Sequence, residues 1–260
     1  MKLTQAQIDQ YNDSGFLVLP DVFSAGEVDV LRREAADITQ VQRPEIWREK
    51  NGAPRTAFGC HKYSDVFRTL SFDARLVQPV EQLIGESLYI HQFKVNPKVA
   101  FDGDTFPWHQ DFVTWHEDDG MPEARAMNIA IFLDDVFTTN GALMFVPGSH
   151  KLGMIPTSPK ENNRRWMDLG RVEEIVRTGS DIEVATGRAG SVLMFHGNAV
   201  HGSAGNMTPL PRRIVYVTYS AVSNAIRKPT RPEFIAHQTF EPVHAVPPDA
   251  FAEYANSLHG

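Results

Sequence analysis

A single cysteine, Cys60, in 260 residues excludes an intrachain disulfide and makes a reducing, cytoplasmic setting the expectation. Basic charge is also in short supply. Twenty-five Lys and Arg against 32 Asp and Glu leave a net charge of −7, and no basic run stands out. That balance argues against nucleic acid or an anionic membrane as the main partner. Long apolar runs are missing: the longest are strand-sized, far short of the roughly 20 residues that cross a bilayer. The opening MKLTQAQIDQ has no apolar stretch of the signal-peptide kind. No internal repeat and no linker breaks the chain, which predicts one domain over residues 1–260. What remains is an ordinary globular composition, 42% hydrophobic and 22% charged, enough for a sizeable core.

The first quarter reads as helical with one strand. Thr4 with Gln7, and Ser24 with Glu27, have capping-box spacing. After Ser24 an apolar stripe of Val28, Leu31, Ala35 and Ile38 recurs at helical intervals. FLVLPDVF between them predicts a strand, while residues 40–60 are polar with no clear period. A third helix is expected from an Asp73 N-cap to Gly85. From Ser87 the period changes to two. In LYIHQFKVN, Tyr89, His91, Phe93 and Val95 fall on one face and Ile90, Gln92, Lys94 and Asn96 on the other. AMNIAIFLDD, ALMFVPGSH, SVLMFHG and RIVYVTYSA follow as further strands. Strands after helices, without βαβ alternation, predict a mainly-β antiparallel double-sheet barrel with helices outside it. The polar stretch 151–180 interrupts the strands and is expected to be a lid.

The chemistry concentrates in FPWHQDFVTWHEDDGM, where His-x-Asp occurs twice, as His109/Asp111 and His116/Asp118. Side chains two apart on a strand share a face, so either pair could offer an imidazole and a carboxylate to one ion. A third ligand would come from another strand, and SVLMFHGNAVHGS supplies His196 and His201. Two histidines and one carboxylate leave three positions open, the arrangement of non-heme Fe(II) oxygenases. Those positions usually take a keto acid, whose far carboxylate needs a fixed cation. Arg212, eleven residues after His201 at the start of the next strand, suits that task because a guanidinium holds a carboxylate with two parallel hydrogen bonds. The charges also close: Fe(II) with one carboxylate and a keto-acid dianion is −1, and Arg212 returns the sum to zero.

HQFKVNPK, PWHQDFVTWHEDDGMP, NGALMFVPGSHK and VHGSAGNMTPLPRR together resemble the phytanoyl-CoA dioxygenase superfamily of Fe(II)/2-oxoglutarate oxygenases. The likeness is greatest to its hydroxylases of free cyclic amino acids, which act on proline, pipecolic acid or ectoine. It runs from YNDSGFLVLPDVFS to VTYSAV and is weakest over 151–180. The resemblance implies a double-stranded β-helix, a jelly-roll of the cupin kind, with Fe(II), 2-oxoglutarate and O₂ as cofactor and cosubstrates. It implies His109, Asp111 and His201 as the metal ligands, with no metal role for His116, Asp118 or His196. It implies Arg212, Asn96 and Ser203 as the 2-oxoglutarate contacts, with Arg213 pointing away. Gln92, Lys94, Trp115 and Phe195 match positions that line the amino acid pocket.

The implied reaction is hydroxylation of a small free amino acid, giving succinate and CO₂. The ectoine enzymes characteristically carry an asparagine two residues after the arginine, where this chain has Ile214. HQFKVNPK and VTYS are nearer the proline enzymes, and DFVTWHEDDGM nearer the ectoine enzymes. The expected order is therefore L-proline, as a trans-4-hydroxylation, then L-pipecolic acid, then ectoine. A competing class is a non-oxygenase metal-binding isomerase or ligand-binding module on a similar barrel. That class would use the His/Asp/His set but leave Arg212 without a purpose.

Overall fold

The structure, a computed structural model, describes residues 1–103, 105–158, 165–179 and 181–258. It opens with α1 (Gln5–Ser14), β1 (Phe16–Leu19) and α2 (Ala25–Gln40). Both capping boxes form, at Thr4/Gln7 and at Ser24/Glu27. The polar stretch that follows is not featureless. It holds a short hairpin of β2 (Ile46–Arg48) and β3 (Pro54–Phe58), whose Ile46 pairs with Ala57. Three- and five-residue strands are too short to leave a readable alternation. Next come α3 (Asp65–Ser71) and α4 (Ala74–Ile84). The Asp73 side chain caps α4 through Arg75 N–H, and Gly85 ends the helix in the left-handed conformation, φ +82°.

The barrel begins at β4 (Leu88–Lys98), followed by β5 (Phe106–His109), α5 (Asp111–Asp119), β6 (Ala126–Phe132) and β7 (Leu143–Phe145). After them run α6 (Leu169–Thr178), β8 (Glu183–Ala185), β9 (Val192–His196), β10 (His201–Ser203), β11 (Arg212–Ala221) and α7 (Pro248–Ser257). One sheet has the order β1-β9-β6-β11-β4-β3-β2 and the other β5-β10-β7-β8, and the pairings are antiparallel. This is the expected double-sheet jelly-roll.

Strand alternation divides the core in two. Ile129 and Ile131 of β6, Met194 of β9, and Val215 and Val217 of β11 face outward onto the helices, against Val28 and Leu31 of α2, Leu76 of α4 and Phe251 of α7. Their neighbours Ala130, Phe132, Leu193, Phe195, Ile214 and Tyr216 face inward and meet Leu143 and Phe145 of the small sheet. Phe16 stacks on Phe145 with ring centroids 4.5 Å apart. The expected two faces of β4 need one correction. Thr218 pairs with Gln92 and Tyr219 with Ile90, so His91 is an extra, bulged residue. The bulge places Ile90 with Phe93 and Val95 in the outer core. The His91 ring instead packs near Tyr89 and Trp115, while Gln92, Lys94 and Asn96 keep their shared inward face.

Candidate active site

The two central histidines are brought together by register. His109 ends β5 directly opposite His201 at the start of β10, and their rings lie 4.1 Å apart. The His-x-Asp pair is not, as expected, two residues of one strand. β5 stops at His109, Gln110 turns the corner, and Asp111 is the first residue of α5. Gln110 makes that corner rigid. Its buried amide donates to the Gly153 and Asn198 carbonyls at 2.8 and 2.7 Å and accepts from Ile155 N–H at 2.8 Å. Helix α5 can seat this close to β9 because of Gly197, where a Cβ would come within 2.8 Å of the Trp115 ring.

His109, Asp111 and His201 each bring one ligand atom to within 4.8 Å of the others. Asp111 Oδ1 is 3.4 Å from His109 Nε2, and Oδ2 is 3.7 Å from His201 Nε2. The tautomers follow from the partners on the other side of each ring. His109 Nδ1 is 2.8 Å from the Pro107 carbonyl and His201 Nδ1 is 2.9 Å from that of Ala199. A carbonyl only accepts, so each Nδ1 carries a proton and each Nε2 lone pair faces the centre. Burial, reinforced by His109, pushes the His201 pKa down to about 3 and keeps that ring neutral. Burial opposes ionisation of Asp111, but the neighbouring His109, His201 and Lys94 side chains outweigh it and hold the carboxyl well below the usual range. Two imidazoles that turn Nε2 to the centre and a carboxylate are the donor set a divalent metal needs.

Two cavities meet at this cluster. The smaller, of about 60 Å³, runs past Asn96, Ser203 and Tyr216 to Arg212. Arg212 is 2% exposed, and its Nε and Nη1 have no hydrogen-bond partner. Burial lowers its pKa, against the opposing influence of Tyr216. A buried guanidinium with two unpartnered nitrogens is costly for the protein alone, and an incoming carboxylate would satisfy them. The larger cavity, of about 450 Å³, is walled by Trp47, Phe58, Phe106, Trp115 and Trp166, with Gln92, Lys94, Arg165 and Arg231 among its polar lining.

Comparison with known proteins agrees with this geometry. A family model described as phytanoyl-CoA dioxygenase matches residues 11–214. The chain belongs to the phytanoyl-CoA dioxygenase family. The dioxygenase is 37% identical to L-proline trans-4-hydroxylase of Streptomyces griseoviridis, over 93% of this chain and 94% of that one. It is 34% identical to ectoine dioxygenase of Streptomyces avermitilis, over 93% and 88%. Crystal structures of EctD from S. alaskensis superimpose with TM-scores of 0.84 with bound Fe and 0.85 with 2-oxoglutarate and 5-hydroxyectoine, at 34% and 33% identity, covering 94% of this chain and 88% of that one in each case. The protein is thus a 2-oxoglutarate-dependent dioxygenase that works with iron and O₂, and its buried guanidinium and His/Asp/His cluster fit those groups.

The other expected residues fall as follows in the dioxygenase. Ser203 lines the smaller cavity and its hydroxyl accepts from Lys98 Nζ at 3.0 Å. Asn96 and Lys94 line both cavities, and Lys94 Nζ sits 5.0 Å over the Tyr216 ring. Gln92 lines the larger cavity and donates to the Ile235 carbonyl at 3.1 Å. Trp115 joins that wall, but Phe195 does not. Phe195 borders the smaller cavity, with its ring 5.0 Å from His201, because β9 faces the inter-sheet core at that point. Arg213 points away, as strand alternation requires, and makes two hydrogen bonds to Asp134 at 2.8 and 2.7 Å. His116 bonds the Met121 carbonyl beyond the end of α5, and His196 accepts from Asn198 N–H. Neither joins the cluster.

Asp118 and Asp119 tie down the strand of chain after β11. The Asp118 carbonyl accepts from both Thr230 N–H and its hydroxyl, and Arg231 makes two bonds to the Asp119 carboxylate. That segment supplies Thr230, Arg231, Pro232 and Ile235 to the larger cavity, and the sequence carried no signal for it. Residues 159–164 and 180 of the expected lid lie outside the described residues, but Arg165 and Trp166 from that stretch are at the larger cavity.

Proposed function

We propose that this dioxygenase hydroxylates a small free cyclic amino acid, L-proline foremost, at C4 in the trans configuration. His109, Asp111 and His201 hold the iron. Arg212 holds the far carboxylate of 2-oxoglutarate, with Asn96 and Ser203 alongside it. The observation that carries this reading is the placement of the cluster at the junction of two cavities, one ending on a buried arginine with two unpartnered nitrogens. The smaller cavity suits the cosubstrate and the larger one the amino acid. Iron and 2-oxoglutarate supply the oxidising power: one oxygen atom of O₂ enters a substrate C–H bond, and the other leaves in succinate as CO₂ is lost.

The chain's own residues bind, orient and exclude water. The Nδ1–H groups of His109 and His201 are spent on carbonyls, so both rings present Nε2 in one direction. Asp111 is the only acid among the described residues that line the larger cavity, against Lys94, Arg165 and Arg231. Arg231 is paired with Asp119 and Arg165 with Asp118, so the Lys94 ammonium is the group that favours a free carboxylate. Gln92 and Lys94 serve the polar end of the substrate, and the aromatic wall, Trp115 included, encloses the ring. Phe195, behind His201, supports the metal side instead of the ring. We further propose that residues 1–260 act as one dioxygenase domain and that 151–180 closes over the larger cavity, with Trp166 against His109.

Proline is favoured over ectoine by Ile214, which is fully buried in the inter-sheet core and offers no hydrogen bond. The similarity to ectoine dioxygenases makes ectoine the direct competitor. The test is L-proline, L-pipecolic acid, ectoine and L-prolinamide assayed side by side with Fe(II), 2-oxoglutarate and O₂, following product by mass spectrometry. Proline should gain one oxygen atom per succinate formed. Hydroxylation of ectoine alone, or robust hydroxylation of the amide, would overturn the assignment.

A further inference from the structure

Asp111 does not stand alone. Its Oδ2 accepts a 2.8 Å hydrogen bond from Asn128 Nδ2, and Asn128 Oδ1 accepts a 2.6 Å bond from the Thr218 hydroxyl. Both Asn128 and Thr218 are fully buried. They are direct partners in the β6–β11 register. The same inward row of the large sheet continues to Phe195 on β9 and Gln92 on β4. The chemistry assigns the amide orientation without ambiguity. An ionised Asp111 can only accept, so the Asn128 NH₂ must face it, and the amide oxygen must face a donor. Thr218 is that donor.

A buried polar pair in a barrel core is costly unless it is satisfied, and here both members are satisfied only in one arrangement. That arrangement points Asn128 at one oxygen of a carboxylate and leaves the other, Oδ1, toward His109. We propose that Asn128, locked by Thr218, is a positioning residue that holds Asp111 to the metal through one oxygen. A carboxylate free to turn could take two metal positions. One held this way takes one and leaves three open, two for the keto acid and one for O₂. This inference rests on the assignment of His109, Asp111 and His201 as the ligands.

The test is anaerobic titration of the full-length protein with Fe(II), and with Co(II) as a probe whose visible spectrum reports coordination number. Removing a partner of this kind typically weakens metal binding by roughly 10- to 100-fold. Asn128→Ala should therefore raise the dissociation constant for both metals within that range and alter the Co(II) spectrum. Thr218→Val, which has the same shape without the hydroxyl, should move both readouts in the same direction by less. Thr218→Ser should restore them. The Thr218 pair keeps the test sound if Asn128→Ala fails to fold. Unchanged affinity and spectrum in Asn128→Ala, or in Thr218→Val when the alanine variant cannot be made, overturn the proposal. His109→Ala is the control: if it binds Fe(II) normally, the ligand assignment itself has failed, whereas lost binding there beside unaltered Asn128→Ala refutes the positioning role alone.

Discussion

Replacing Arg212 by methionine should separate two effects that a purely structural arginine would not separate. The side chain is 2% exposed and its Nε and Nη1 lack partners. Without a ligand it is therefore a buried charge whose desolvation is poorly repaid. Methionine is long, unbranched and apolar, and fills the same channel with little strain. Exchanging a buried ion for an apolar group is often neutral or stabilising, so the ligand-free variant should melt no lower than the wild type. Binding of 2-oxoglutarate should respond in the opposite direction. Losing one partner of a desolvated charge pair costs about 2–5 kcal/mol, and about 1.4 kcal/mol is tenfold in affinity. The dissociation constant for 2-oxoglutarate should thus rise by about 30-fold or more. The assay is thermal unfolding with and without 2-oxoglutarate, in the presence of a redox-inert divalent metal. At 100 times the dissociation constant a ligand adds about 2.7 kcal/mol, or roughly 5–10 °C for a chain of this size. The wild type should gain that shift, and Arg212→Met should keep about a third of it or less at the same concentration. A variant that binds 2-oxoglutarate like the wild type would refute the reasoning.

Arg213→Ala should leave the KM for 2-oxoglutarate within about twofold while lowering the melting temperature slightly, since its bonds go to Asp134 on the far face; a KM rise exceeding that of Arg212→Ala would place the strand register one residue off. Trp166→Ala removes edge contacts to His109 and Phe106. Its substrate KM should rise about tenfold, by the typical worth of two aromatic contacts, with a smaller change for 2-oxoglutarate; equal changes would mean that the residue does not belong to the amino acid wall. Stability should fall on acidification below pH 6.5. Burial pushes His61 down to about 3 and His196 down to about 4 from 6.5. Between pH 6.5 and about 4 the unfolded chain binds protons at these two sites that the folded chain does not, so each group steepens the loss toward about 1.4 kcal/mol per pH unit. Urea midpoints measured across that range should show the slope, and His196→Phe should flatten it; an unchanged slope in the variant would contradict the burial argument.

The sequence spoke most clearly where one residue type answers one physical demand. The capping boxes, the Asp73-to-Gly85 helix and the alternating inward row Gln92, Lys94, Asn96 follow from local rules, and the structure reproduces them. His91 escaped because a bulge leaves no local mark in an otherwise regular alternation. The corner at Gln110 was hidden for a different reason. Asp111 reaches the centre from a helix, and what fixes the corner is a glutamine bonding residues 43 to 88 positions away. Asn128 and Thr218 were equally silent, since each looks like an ordinary polar residue of a strand until the two are seen to be register partners. The larger cavity was the least legible part. Much of its wall comes from the β2–β3 hairpin, from Arg165 and Trp166, and from the segment after β11, short or irregular stretches whose convergence is set by the fold as a whole.

The central claim is that iron and 2-oxoglutarate meet at His109, Asp111 and His201, not at the second His-x-Asp of the same segment. The most direct measurement is anaerobic addition of Fe(II) and 2-oxoglutarate to the wild type, His109→Ala and His116→Ala, watching for the weak visible charge-transfer band of a chelated keto acid. The band should form in the wild type and in His116→Ala, should be absent in His109→Ala, and should change when L-proline is added. A band that survives in His109→Ala, or disappears in His116→Ala, would contradict the account.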